Sequence, residues 1–257
     1  MSNLIFFDNK EMLKRKVNKW ARKINPARKL KLWLKQKFGW LGVPVIIPYS
    51  GYGNHEKAFF IGCVSEDKGL AKPEQTHSKW ENFIAMAKRF TSDEIPGVKV
   101  KATMLGMEQV SLTGHKGIFR FEFNFKNENI SFPEDPWVNV KFELLDQVSE
   151  EQLKTEATGK ILLLKPGDSS YGVISDIDDT ILVSHSTNFI QKIRLMLFKN
   201  AYTRLPFEGV AGFYRALHKG YQGNCHNPIF YVSSSQWNLF DLLQDFCDIR
   251  RIPQGVM

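Results

Sequence analysis

The sequence predicts an α+β multidomain chain: N-terminal basic amphipathic helices, an antiparallel β-sandwich-like domain, and a partial α/β domain built on a parallel sheet. Three observations carry this. Residues 10–37 repeat apolar positions at helical spacing, the following stretch alternates apolar and polar residues with period two, and the last third alternates strand-like with helix-like runs. The boundaries fall near residues 40 and 165, giving segments 1–40, 41–165 and 166–257. With 257 residues, 43 % of them hydrophobic, the chain can fill one large core or two modest ones.

The net charge of +8 is a local property. Residues 10–37 hold twelve Lys or Arg against one acid, Glu11, so this segment contributes +11 and the remainder is −3. Leu13, Val17, Trp20 and Ile24 form one helical stripe, Leu30, Leu34 and Phe38 form a second, and Pro26 separates them. Basic side chains opposite an apolar face that includes Trp20, Trp33 and Trp40 suit an anionic membrane surface; a solvated helix packed on the protein is the plainer alternative. Nucleic acid is not an expected partner, because no aromatic and basic sheet motif accompanies the charge.

No apolar run reaches the ~18 residues needed to span a bilayer. The opening MSNLIFFDNKEM places no cationic region ahead of a signal-type apolar stretch, so neither secretion nor a transmembrane anchor is expected. Cys63, Cys225 and Cys247 are odd in number and lack CxxC spacing, which argues against a disulfide framework or a zinc site. They read as reduced thiols of a cytoplasmic protein, with peripheral attachment to a membrane through the basic segment.

In the middle segment, Val43–Ile47 and Ala58–Val64 read as strands separated by a turn-rich Tyr49–Asn54 loop. Ser78–Phe90 carries apolar residues at helical spacing. Val98–Met104, Ile118–Phe125, Val138–Leu144 and Lys160–Leu164 alternate, and Phe119, Phe121, Phe123 and Phe125 share one face that should wall a core. His55, His77 and His115 stand alone on loop-like stretches and read as ordinary surface or hydrogen-bonded histidines. In the last segment, Tyr171–Ser175 and Pro228–Val232 read as strands, and Val210–His218 and Gln236–Phe246 as helices.

The chemistry-bearing residues lie here. Gly172 to Ile181 reads GVISDIDDTI, an apolar strand ending in three carboxylates and a hydroxyl. Acids beside a core strand are costly unless a cation or a protonation role stabilises them. Asp176 and Asp178 are two residues apart and so point to one side of an extended chain. The plainer alternative is an acidic turn in which Asp179 caps a helix.

DxDxT at a strand end resembles the first motif of the haloacid dehalogenase (HAD) phosphotransferases. At Ser233, 57 residues after Asp176, a second apolar strand, IFYVS, ends in a hydroxyl and resembles their second motif. The strings GVISDIDDTI, LPFEGVAGFYRAL, FYVSSSQWNLFDLLQDF and IPQG are similar to the catalytic domain of phosphatidate phosphatases of the actin-patch type. The similarity runs from about Gly159 to Met257, and Gly51-Tyr52-Gly53 also resembles the preceding domain of bacterial members. The basic segment lies outside it. Gln236 stands where the family commonly has Pro, at a helix start where Pro only favours initiation.

The resemblance implies a partial HAD-like domain, a magnesium ion, and a phosphorylated lipid as substrate. It makes Asp176 the nucleophile, Asp178 the general acid and base, Thr180 a brace for the loop and Ser233 a phosphoryl hydrogen-bond donor. Asp176 and the Asp178 carbonyl would hold Mg²⁺. The family also needs a Lys and further metal-binding acids. The 24 residues after Ser233 contain no Lys, and Asp241, Asp245 and Asp248 read as the polar face of a helix.

The chain therefore reads as cut short, and inactive as it stands. Residues 182–208, with Phe189, Ile193 and Leu195–Phe198, sit where HAD enzymes insert a cap. Two other functions stay open: a HAD phosphatase acting on a soluble phosphomonoester, and a non-catalytic membrane- or partner-binding module with a vestigial HAD half.

Overall fold

The computed structural model describes residues 34, 41–67, 93–126, 131–150, 152–177, 180–181, 209–221, 223, 225–233 and 237–257. The expected basic helices, apart from the single helical residue Leu34, the helix Ser78–Phe90, the 182–208 stretch and Asp178 lie outside these residues. Seven strands form one mixed sheet: β1 (Pro44–Asn54), β2 (Lys57–Glu66), β3 (Lys99–Met104), β4 (Met107–Leu112), β5 (Ile118–Asn124), β6 (Trp137–Leu144) and β7 (Glu156–Leu164). Their order is β4-β3-β6-β7-β1-β2-β5, and the sheet curls until its ends nearly meet, with Gln109 Nε2 on β4 donating to the Glu122 carbonyl on β5 at 3.1 Å.

This corrects the expected α+β class and its antiparallel sandwich: the described fold is mostly β, with two short α-helices and one nearly closed mixed sheet. The physical reason lies in β1. The Tyr49–Asn54 stretch, expected as a loop, continues the strand past a bulge between Pro48 and Gly51, and residues Ser50–Asn54 pair in parallel with Lys160–Leu164 of β7. Gly51 is required there, since a Cβ would lie 2.6 Å from the Phe60 ring and 2.7 Å from Ile161. One long bulged strand thus joins the hairpin side to the β6–β7 side, and a single curled sheet encloses its own core.

β4 escaped the sequence reading. It follows β3 through a two-residue hairpin at Leu105 and Gly106, both at positive φ (48° and 81°), the combination that a type I′ turn demands. Phe119, Phe121, Phe123 and Phe125 are buried, as their period-two spacing predicts. Phe142 from β6 packs against Phe60, Phe119 and Phe121 with ring centroids 4.7, 5.4 and 6.0 Å away.

The C-terminal residues build a smaller unit from β8 (Val173–Asp176), α1 (Val210–Lys219), β9 (Ile229–Val232), a 3-10 turn (Trp237–Leu239) and α2 (Phe240–Ile249). The expected parallel sheet is here a two-stranded pair, β8 with β9, extended only by an isolated bridge between Phe230 and Val256. Tyr214, Ile229, Tyr231, Leu242, Leu243 and Phe246 form its core. Buried Asn227 ties its start to α1, accepting from the Ser170 N–H at 3.0 Å and donating to the Leu217 carbonyl at 3.1 Å. Tyr49 joins the two cores, its ring stacked on Trp237 at 4.7 Å and tilted against Phe240 at 4.9 Å.

Candidate active site

The site follows from the register of two strands. In β8 and β9 the partners are Val173 with Ile229, Ile174 with Phe230, Ser175 with Tyr231 and Asp176 with Val232. Both strands run the same way, so Asp176 ends one and Ser233 directly follows the other. Side chains at the carboxyl ends of parallel strands face the region where ligands of such sheets bind.

Side-chain alternation places Val173 and Ser175 toward the packed face, while Ile174 and Asp176 are exposed. Beyond Asp176 the chain turns at once. The Ile177 N–H donates to the Val232 carbonyl at 2.9 Å, and the Thr180 and Ile181 N–H groups return to the Ile177 carbonyl at 3.4 and 3.1 Å. Ile177 and Ile181 are fully buried and pin this turn to the core, leaving Thr180 exposed on it. Ser233 is half-buried. The structure thus brings Asp176, Thr180 and Ser233 to one end of the parallel pair, and the fourth expected residue, Asp178, lies outside the described residues.

One pair of groups was missed by sequence reasoning. The Ser175 hydroxyl lies against the Tyr214 hydroxyl of α1 and donates to the Asp176 carbonyl at 2.9 Å. With Tyr214 donating in turn to Ser175, a buried two-hydroxyl chain fixes the backbone that carries Asp176. The available signal was a polar Ser inside an otherwise apolar strand. Burial, aided by nearby Cys247 and Tyr214, pushes the Tyr231 phenol far above its ordinary range, so this ring beside the site stays neutral while its hydroxyl donates to the Pro253 carbonyl at 2.8 Å.

Among the described residues, no three or more His, Cys, Asp or Glu side chains converge as a metal site would. Magnesium takes near-octahedral oxygen coordination, usually one or two carboxylates completed by water and substrate phosphate. Asp176 can serve as one such donor, but the described donors do not by themselves make a magnesium site. Asp241, Asp245 and Asp248 do lie on or next to α2, as expected.

The strand-end carboxylate of Asp176 is level with Val232, and Ser233 follows one residue on. Residues 171–257, about a third of the chain, match the family described as phosphatidate phosphatase APP1, catalytic domain. The matched segment begins two residues before β8 and contains the whole β8–β9 pair. No curated protein and no solved structure matches the chain.

Proposed function

We propose that the chain is a phosphatidate phosphatase that works through an aspartyl-phosphate intermediate, with Asp176 as nucleophile. The observation that supports this reading best is the β8–β9 register, which sets Asp176 level with Val232 and next to Ser233 inside the segment matching the phosphatase family. A carboxylate oxygen of Asp176 attacks phosphorus in line, the ester P–O bond breaks, and diacylglycerol leaves. This splits one difficult displacement into two easier ones. Asp178 gives its proton to the departing alkoxide and then takes one from the water that hydrolyses the acyl phosphate, a role worth ~10²–10⁴-fold. The Ser233 hydroxyl donates to a phosphoryl oxygen, and Thr180 braces the turn.

The resemblance brings a magnesium ion, which would offset phosphoryl charge, but Asp176 is its one donor among the described residues at this strand end. Residues 234–257 contain no lysine, so they do not supply the cation that offsets the charge of nucleophile and phosphate together. The basic segment 10–37 supports a substrate held in an anionic bilayer over a soluble ester, and it gives the protein a place at the cytoplasmic face of a membrane.

The test compares the chain with Asp176→Asn on vesicles containing phosphatidate and on glycerol 3-phosphate. Whatever release occurs is expected from phosphatidate and is lost in the variant. Release from the soluble ester alone, or release that survives Asp176→Asn, would overturn the reading.

A further inference from the structure

Ile174 and Asp176 share one face of β8, and their register partners Phe230 and Val232 share the same face of β9. The opposite face, with Ile229 and Tyr231, packs into the smaller core. The face that carries the proposed nucleophile is apolar and open instead, with Ile174 78 % and Val232 55 % exposed. Parallel strands are ordinarily apolar on both faces because both are covered. A single exposed apolar residue needs no explanation, but a contiguous apolar surface marks a place where something binds.

This surface is contiguous. Gly172, just before β8, leaves it uninterrupted: the place its Cβ would take lies 3.7 Å from the Pro228 ring and 3.9 Å from that of Phe230. Phe230 meets Tyr52 of β1 edge-on with centroids 5.8 Å apart, and Tyr52 meets Phe59, its cross-strand partner on β2, at 5.8 Å again. Tyr52 and Phe59 are both exposed. From Val232 through Phe230 and Tyr52 to Phe59 the lane runs about 18 Å, its first step being two strand residues at ~3.3 Å each. Charge bounds it at both ends. Asp176 is level with Val232 at its head, and Glu122, the β5 partner of Phe59, pairs with Lys57 at 3.3 Å beyond its tail.

We infer that this lane seats an acyl chain of the lipid whose phosphate reaches Asp176, and that Ile174, Phe230 and Val232 favour a lipid over a soluble phosphomonoester. The inference rests on the phosphatase reading, which puts the phosphoryl group at the head of the lane. A short ester gains nothing from the lane, whereas each methylene laid along it leaves water. A fully buried methylene is worth about fourfold in affinity, and a lane open on one side about half of that free energy, hence about twofold per methylene.

The probes are ethyl, butyl, hexyl and octyl phosphate, kept below micelle-forming concentrations and titrated calorimetrically into the full 257-residue chain. Affinity is expected to rise at least about tenfold from butyl to octyl phosphate. Ile174→Gln and Val232→Gln alter exposed side chains and should each flatten this rise by half or more, with the fold intact by circular dichroism. The same series on Asp176→Asn reads the phosphate end separately, and relief of repulsion should tighten every member. A flat series in which Asp176→Asn still tightens binding would overturn this inference and leave the phosphatase reading standing. A rise with chain length that Asp176→Asn does not shift would remove Asp176 from the phosphate and overturn both. A rise that survives both glutamine substitutions, or a dimer of the chain that Ile174→Gln dissolves, would assign the tail or the face to something else and overturn the inference.

Discussion

Tyr214 and Ser175 meet hydroxyl to hydroxyl beneath the strand end, with Ser175 passing a hydrogen bond on to the Asp176 carbonyl at 2.9 Å. The pair is buried, at 4 % and 8 % exposure. Helix α1 is thereby fastened to the backbone of the proposed nucleophile, and the orientation of Asp176 depends on a residue 38 positions away in sequence.

Removing either hydroxyl should be felt. Ser175→Ala leaves the Tyr214 hydroxyl buried without this partner and is expected to cost about 1–3 kcal/mol, more than Tyr214→Phe, which leaves Ser175 its carbonyl acceptor. Urea unfolding of the two variants measures this. Stability unchanged in both would show that the hydroxyl pair does not hold the strand end.

Asp248 gives a pH signature. Its carboxyl is raised from the ordinary 3.8, chiefly by burial, so the folded protein keeps this proton to higher pH than the unfolded chain does. The folded state is favoured by this group in acid, and that advantage is lost as pH rises through the raised value. Asp248→Asn, which carries no charge, is therefore expected to be more stable than the parent at pH 7 and to lose this margin towards pH 4. A margin that grows in acid would mean that Lys160 stabilises the Asp248 carboxylate more than burial penalises it, and a constant margin that the two effects cancel; either would contradict the raised carboxyl.

The basic segment predicts salt-sensitive membrane binding. Vesicles containing anionic lipid should retain the full chain and release it as salt is added, because each Lys or Arg near the surface contributes about 1 kcal/mol that screening removes. Deleting residues 1–40 should abolish most of the binding. Co-sedimentation that ignores both salt and deletion would remove this role from the segment.

How much of this was legible in the sequence depended on how local each signal was. The Phe119 to Phe125 alternation revealed a core wall because period two on a strand is a local property, and the strand ends at Asp176 and Val232 were marked by abrupt changes from apolar to polar residues. Sheet closure was not legible. It rests on the parallel pairing of Ser50–Asn54 with Lys160–Leu164, more than a hundred residues apart, through a stretch whose glycines and tyrosines looked like a turn. β4 was missed because Leu105 occupies a positive-φ position that sequence signals assign to Asn, Asp or Gly. The α2 carboxylates were rightly placed on a polar helix face, yet how that face lies against the curled sheet was not legible. The Ser175 hydroxyl stood in plain view, but its partner Tyr214 came from a helix whose docking no local pattern specifies.

The central claim, that Asp176 and Ser233 face one phosphate, is tested most directly by the affinity of the chain for inorganic phosphate, read by isothermal titration in three forms. Asp176→Asn removes a carboxylate that repels the anion, and even about 1.4 kcal/mol of relieved repulsion is a factor of ten in affinity. The account predicts that Asp176→Asn binds phosphate about tenfold more tightly than the parent chain, and that Ser233→Ala binds it several-fold more weakly. The same affinity in all three forms, or weaker binding by Asp176→Asn, would contradict it.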